Sequence, residues 1–147
     1  MRFPVKNIKS KYAILLIRIM VGSVFVSEGI QKFLYPDQLG AGRFLKIGLP
    51  LPEFFGLFVP AIEILCGLFL LIGLYTRYAA VPLLIIMIVA IISTKIPILI
   101  NDGFWKMAHD SRTDWSMLIG SIFIILADKG KLPLHKFIIK KVRKVDE

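Results

Sequence analysis

The chain has few of the side chains that bind metals or form disulfides. Cys66 is its single cysteine, so no internal disulfide can form and no pair of thiols can carry electrons. It has two histidines, His109 and His135, and both lie outside the long apolar runs. A haem or metal site within a helical membrane domain needs several such ligands. The sequence therefore predicts no metal and no haem within its apolar part.

Charged residues are sparse in four long apolar segments. Hydrophobic residues make up 56% of the 147 residues, more than in an ordinary soluble domain. A helix needs about 20 apolar residues to cross the hydrocarbon core of a bilayer. The fourth segment is the weakest, because its continuous apolar core runs only from Trp115 to Ala127, and a buried or re-entrant helix is its alternative. We predict an all-α fold, an integral membrane four-helix bundle in one domain over residues 1–147, with spans at about 12–33, 54–74, 78–100 and 114–130.

Basic residues are concentrated on one side of these segments. With four crossings, the N-terminal residues 1–11, the link at Arg77 and the basic tail 131–147 all fall on the same side. Lys and Arg in short loops mark the cytoplasmic side, so we predict that both termini are cytoplasmic. We expect the tail to attract anionic lipid headgroups rather than nucleic acid.

The first two spans contain charged side chains, which are rare within a bilayer. A charge at the bilayer centre costs about 3 kcal/mol, so such residues usually face protein and mark functional sites. On the helical repeat they share faces with glycines, and small residues let membrane helices approach closely. We therefore predict that the two faces meet and that the charges point into the bundle. The first face comprises Arg18, Gly22, Phe25, Gly29 and Lys32, and the second comprises Gly56, Pro60, Glu63 and Gly67.

Four charged residues are predicted to lie at similar heights in the outer half of the bundle. Glu28 precedes Lys32 by four residues, the order that favours an ion pair within a helix. Glu63 lies near the middle of the second span, and Lys95 lies near the outer end of the third. We expect a polar pocket that opens to the outside, with Glu63 as a candidate proton-exchanging group. Arg18 stands alone in the other half, where its side chain could extend to the nearer interface.

The composition of the connecting segments and of the helix ends also predicts local structure. Glycines and prolines argue against a long regular helix between residues 34 and 53. Pro97 should kink or end the third helix. Asp114 and Trp115 open the fourth helix, Asp114 as an N-terminal cap or a partner of the helix dipole and Trp115 as an interface anchor.

The order of these residues resembles that of the DoxX family of small bacterial membrane proteins. The first span has the pattern R-x3-G-x2-F-x3-G-x2-K from Arg18 to Lys32. The loop contains Gly48-Leu49-Pro50-Leu51-Pro52, Glu63 is followed by Gly67, Gly73-Leu74-Tyr75-Thr76-Arg77 ends the second span, and Asp114-Trp115 opens the fourth. The resemblance extends over about residues 14 to 130.

The resemblance implies a multi-pass protein of the bacterial cytoplasmic (inner) membrane. Some relatives are membrane subunits of quinone-linked sulfur oxidation or of oxidative-stress complexes. The family's polar positions correspond here to Arg18, Lys32, Glu63, Arg77 and Asp114. Taken with the charges described above, the candidate ligand-binding residues are Arg18, Glu28, Lys32, Glu63, Lys95, Asp114 and Trp115.

The sequence is compatible with three functions. The first is a subunit of a quinone-linked oxidoreductase, with a quinone beside Glu63 in a pocket walled by Phe25, Phe33, Phe54, Phe55 and Phe58. The same charges would also suit a purely structural role, since ion pairs hold helices together. The second is a non-enzymatic scaffold whose basic tail or outer loop binds a soluble redox protein. The third is a small-solute carrier, which would need a homo-oligomer because four short helices leave little room for alternating access.

Overall fold

A computed structural model of the protein describes residues 7–128, with side chains from Tyr12 onward. Within this part the regular structure is entirely helical, which agrees with the predicted all-α fold. The basic tail 131–147 and its predicted location are outside the described residues. The elements are α1 (Asn7–Leu34), α2 (Pro36–Leu39), α3 (Ala41–Lys46), α4 (Pro52–Ile72), α5 (Thr76–Ala90), a π-helical turn (Ile91–Lys95), α6 (Ile96–Asp102), α7 (Phe104–Asp110) and α8 (Arg112–Ala127).

Three helical stretches are long and apolar enough to cross a membrane. They are Tyr12–Leu34, Pro52–Ile72 and Thr76–Asp102, which correspond to the first three predicted spans. α8 has only 16 residues. At 1.5 Å per residue it rises about 24 Å, short of the ~30 Å thickness of the hydrocarbon core. The fourth crossing therefore stays a prediction.

The longer helices pack around a common core in a closed order. α1 packs against α4, α4 against α5, α5 against α8, and α8 against α1. The shared core contains apolar side chains from each of them, among them Val21, Phe25, Leu70, Leu83 and Ile124. Burial of charged groups in this protein thus means burial between helices.

The glycine faces of α1 and α4 meet, as predicted. A Cβ atom on Gly22 would lie 2.9 Å from the carbonyl oxygen of Gly67, and one on Gly29 would lie 2.7 Å from that of Pro60. Real Cβ atoms do not approach so closely, so larger residues would push the helices apart. The pairing of Gly22 with Gly67 and of Gly29 with Pro60 also shows that the two helices run antiparallel.

The third long helical stretch, which begins with α5 at Thr76, does not end at Pro97, although the sequence allowed that outcome. It continues to Asp102 through the π-helical turn Ile91–Lys95. Proline cannot donate the backbone hydrogen bond of a regular helix, and a π-helical turn immediately before it changes the bonding register. Lys95 is the last residue of this turn.

The two ends of the helices have different connections. The turn end comprises the Gly73–Tyr75 turn between α4 and α5 together with the last residues of α8. The loop end comprises the α1–α4 connection, with α2 and α3, and the α6–α8 connection, with α7. The helices between residues 34 and 53 are short, as their glycines and prolines predict, and α3 packs on α4 with Phe44 buried.

Candidate functional site

Lys32 on α1 contacts two carboxylates, one on α4 and one on α1 itself. Its Nζ lies 2.8 Å from Oε2 of Glu63 and donates a hydrogen bond of 3.1 Å to Oε1 of the same residue. The same Nζ lies 3.4 Å from Oε2 of Glu28, one turn earlier on α1. We call Glu28, Lys32 and Glu63 the lysine triad. The structure thus brings together three of the four residues that were predicted to converge.

The directions of the side chains explain how this contact forms. Lys32 lies near the end of α1, whereas Glu63 lies near the middle of α4. Side chains on a helix lean toward its N-terminus, so on antiparallel helices these two lean toward each other. Gly29 leaves space for the carboxylate, since a Cβ atom there would lie 3.2 Å from Cβ of Glu63.

The lysine triad extends from a buried position to an accessible one. The side chain of Glu63 is 4% exposed, that of Lys32 is 12% exposed and that of Glu28 is 46% exposed. Two carboxylates and one ammonium carry a net charge of −1 when all three are ionised. Separating such a charge from water is unfavourable unless something balances it. The lysine triad is therefore both charged and open at one edge.

The predicted aromatic wall of a pocket is only partly present. Phe25 is buried in the core, but Phe54 and Phe58 are half-exposed and lie on the outward surface of α4. Their rings stack with centroids 5.4 Å apart, and Phe55 packs edge-on against Phe54. Phe33 is also exposed. The aromatic residues thus form an outward-facing surface at the loop end, because α4 turns its glycine face, not its phenylalanine face, toward α1.

Lys95 belongs to a different group of charges. Its Nζ lies 3.0 Å from Oδ2 of Asp114 and donates a hydrogen bond of 2.8 Å to the carbonyl oxygen of Asp110. Among the side chains described, no ion pair connects it to the lysine triad. The single predicted pocket is therefore divided, because the α6–α8 connection supplies nearer partners for Lys95.

Asp114 and Trp115 lie at the beginning of α8, as predicted. The N-cap residue is Ser111, so Asp114 is not the cap; it lies in the first turn, where a carboxylate interacts favourably with the helix dipole. Trp115 is exposed, which fits an interface anchor.

Arg18 is enclosed by protein at the turn end, although the sequence allowed its side chain to extend along the surface toward the nearer interface. The residue is 1% exposed. Its Nε donates a 3.0 Å hydrogen bond to the carbonyl oxygen of Leu70, and its Nη1 lies 3.8 Å from Oδ2 of Asp128. The last carbonyls of a helix lack partners within the helix and attract cations, which explains why the guanidinium turns inward.

Gly73 provides the space for this guanidinium. It follows α4 in the left-handed conformation (φ 85°), and a Cβ atom there would collide with Nη2 of Arg18. We call Arg18, Gly73 and Asp128 the arginine clamp. Sequence reasoning noted Gly73 but missed Asp128. The available signal was an acidic residue placed directly where the fourth apolar run ends.

Apolar helices of this length, packed with charged side chains between them, define an integral membrane protein. Comparison with known proteins specifies the family. The family model for DoxX matches residues 13–96, more than half of the chain. The protein belongs to the DoxX family, as its sequence pattern predicted. The matched region contains the lysine triad and Lys95.

Two relatives match most of the chain. The "Uncharacterized membrane protein Rv3486" of Mycobacterium tuberculosis (strain ATCC 25618 / H37Rv) is 50% identical over 135 residues, which cover 88% of this chain and 83% of the relative. The "Putative oxidoreductase CatD" of Bacillus subtilis (strain 168) is 32% identical over 129 residues, which cover 86% of this chain and 87% of the relative. No solved structure matches significantly.

Proposed function

We propose that the protein is a membrane subunit of a redox system and that it binds a quinone beside the lysine triad. The observation that carries this proposal is the position of Lys32, which lies between the buried Glu63 and the accessible Glu28. Membership in the DoxX family and similarity to a relative whose name includes "oxidoreductase" support the redox assignment.

The residues of the lysine triad suit a quinone head group. An ammonium can donate a hydrogen bond to a quinone carbonyl, and a carboxylate can accept one from a quinol hydroxyl. Glu63 is the candidate group for exchanging a proton with the ring. The outward-facing Phe54 and Phe58 offer an apolar surface for the tail of a quinone that arrives from the bilayer.

We also propose that the chain crosses the bacterial cytoplasmic membrane four times as a four-helix bundle with both termini cytoplasmic. The closed packing order of the long helices with α8 supports the bundle. Arg77 at the turn end and the basic segments 1–11 and 131–147 support a cytoplasmic turn end. In a Cys66→Ser background, a cysteine introduced at Lys106 should react with an impermeant thiol reagent added outside the cell, and one introduced at Lys136 should not.

Quinone binding is the experiment that tests the function. The purified protein in lipid nanodiscs should bind menaquinone or ubiquinone, and Glu63→Gln should weaken binding about tenfold, which corresponds to about 1.4 kcal/mol. Glu53→Gln is the matched control, because Glu53 is exposed at the beginning of the same helix. The proposal is wrong if neither quinone binds to the wild-type protein, or if both variants bind with equal affinity.

A scaffold for a soluble redox protein is the second candidate, and α7 favours it. Trp105 on α7 is 83% exposed, and the neighbouring Phe104 is exposed as well. Exposed aromatic residues at the loop end suit an interaction surface outside the membrane. Trp105→Ala should then release a soluble partner that co-purifies with the wild-type protein. Loss of that partner on removal of residues 132–147 would instead place the docking surface on the tail.

A further inference from the structure

We infer that the site beside the lysine triad binds the quinol, the reduced form of the quinone, more tightly than the quinone itself. The inference rests on the proposed function, because it names the redox state of the ligand at that same site. It follows from the hydrogen-bond donors and acceptors of the three side chains and from the exposure of Glu28.

The donors of Lys32 already face protein acceptors. An ammonium has three N–H groups and accepts no hydrogen bond. Three carboxylate oxygens lie around it: Oε2 of Glu63 at 2.8 Å, Oε1 of Glu63 at 3.1 Å and Oε2 of Glu28 at 3.4 Å. The side chain of Lys32 is also largely enclosed, since it is 12% exposed. A quinone carbonyl, which can only accept hydrogen bonds, would therefore have to compete with a carboxylate for the ammonium.

Glu28, in contrast, has an acceptor that the protein does not use. Each oxygen of a carboxylate accepts hydrogen bonds. Among the described residues, the hydrogen bond to Glu28 comes from Lys32 and reaches Oε2, so Oε1 has no protein donor. The Glu28 side chain is 46% exposed. The edge of the lysine triad that a ligand can reach is thus an acceptor with negative charge.

The neighbouring side chains of α1 do not supply the missing donor. Gln31 donates a hydrogen bond of 2.9 Å from Nε2 to the hydroxyl of Ser27, so these two residues bond to each other along the helix. Within residues 12–128, no cation other than Lys32 forms an ion pair with either carboxylate of the lysine triad. A ligand that reaches Glu28 therefore meets an acceptor that is not already bound to a protein donor.

The two redox states of the ligand differ in what they can offer to this acceptor. A quinol hydroxyl donates a hydrogen bond, and a bond from a hydroxyl to a carboxylate is stronger than one between neutral groups. A quinone carbonyl in the same position would place its lone pairs against those of the carboxylate, and no hydrogen bond could form. Glu28 is therefore the residue that determines the preference, and tighter binding of the reduced form raises the midpoint potential of the bound couple.

Affinities of the two redox states test the inference on the full-length protein in lipid nanodiscs under anaerobic conditions. Decylubiquinol should bind about tenfold more tightly than decylubiquinone, which corresponds to an upward shift of about 30 mV in the midpoint potential of the bound two-electron couple. The dimethyl ether of the quinol keeps the ring and the tail but has no hydroxyl donor, so it should bind no more tightly than the quinone.

Two variants locate the preference. Glu28→Gln should reduce it to about twofold or less, because the amide can donate to a carbonyl and Lys32 loses one charged acceptor. Glu53→Gln is the matched control and should keep the preference, since Glu53 is an exposed carboxylate at the beginning of α4 and outside the lysine triad.

The outcomes separate the inference from the proposed function. Equal or tighter binding of the quinone by the wild-type protein, with binding still weakened by Glu63→Gln, would overturn the inference and leave the quinone site in place. A preference for the quinol that the dimethyl ether shares, or that Glu28→Gln does not change, would also overturn it, because contact between hydroxyl and carboxylate would not be its cause. Binding of neither form would remove the proposed function and the inference with it.

Discussion

The arginine clamp and the lysine triad place a cation at opposite ends of the same pair of helices, yet they differ in charge balance and in exposure. Arg18 faces one carboxylate, that of Asp128, and both side chains are buried. Lys32 faces two carboxylates, and one of them is half-exposed. The enclosed pair of Arg18 and Asp128 suits a structural role, whereas the open edge of the lysine triad gives a molecule outside the helices access to charged side chains. Charge count and access, more than burial, separate the structural region from the candidate functional one.

Removal of the guanidinium should have the largest effect on stability. Arg18→Met leaves the buried Asp128 without this cation and the Leu70 carbonyl without its donor, so we expect a loss of about 3–5 kcal/mol in the free energy of unfolding. Arg77→Met, an exposed arginine at the same end, should change it by about 0.5 kcal/mol or less. Denaturant titration in detergent micelles measures both, and equal losses would show that the clamp has no special role.

A side chain at Gly73 should have the next largest effect. We expect Gly73→Ala to cost about 2 kcal/mol or more, because the left-handed backbone disfavours alanine and the new Cβ atom displaces the guanidinium. Gly48→Ala shares the positive φ but meets open space, so it should cost about 1 kcal/mol. The two costs should become similar in an Arg18→Met background. Unfolding titrations of the two glycine variants in both backgrounds test this, and a Gly73 cost that is unchanged without Arg18 would disprove the contact.

Within the lysine triad, loss of the shared cation should matter more than loss of the accessible carboxylate. Lys32→Met leaves Glu63 buried without its charged hydrogen bond, which should cost about 2 kcal/mol. Glu28→Gln breaks a half-exposed ion pair and should cost less than about 1 kcal/mol. The same unfolding measurement compares them. A larger loss for Glu28→Gln would mean that Glu28 has a structural role that exposure does not suggest.

The smallest effect on quinone binding is expected from Lys95, whose partners are Asp114 and the Asp110 carbonyl. Lys95→Met should cost about 1 kcal/mol of stability and should leave quinone affinity unchanged within about twofold. Quinone titration of this variant beside Glu63→Gln provides the check. An equal loss of quinone affinity in both variants would support the single pocket that the sequence predicted.

Much of the region around Glu63 could be predicted because it depends on helical periodicity alone. The regular repeat places Gly22, Gly29 and Lys32 on one face, and it places Glu63 and Gly67 on another. Small residues on both faces then favour close packing, and the antiparallel direction brings Lys32 toward Glu63.

The other contacts depend on geometry that periodicity does not determine. A long arginine side chain near a helix end can reach either the interface or a neighbouring carbonyl, and the inward choice for Arg18 required Gly73 and Asp128 to lie beside it. The partner of Lys95 depends on the path of the α6–α8 connection after a π-helical turn, which the sequence indicated only as an effect of Pro97.

Photo-crosslinking with a quinone analogue tests the distinction between the two regions most directly. The lysine triad account predicts labelled peptides on α1 near Glu28 and Lys32 and on α4 near Phe54 and Phe58, with labelling prevented by excess menaquinone and reduced in Glu63→Gln. Labelling confined to the turn end around Arg18 and Gly73, or labelling that excess menaquinone does not prevent, would contradict it.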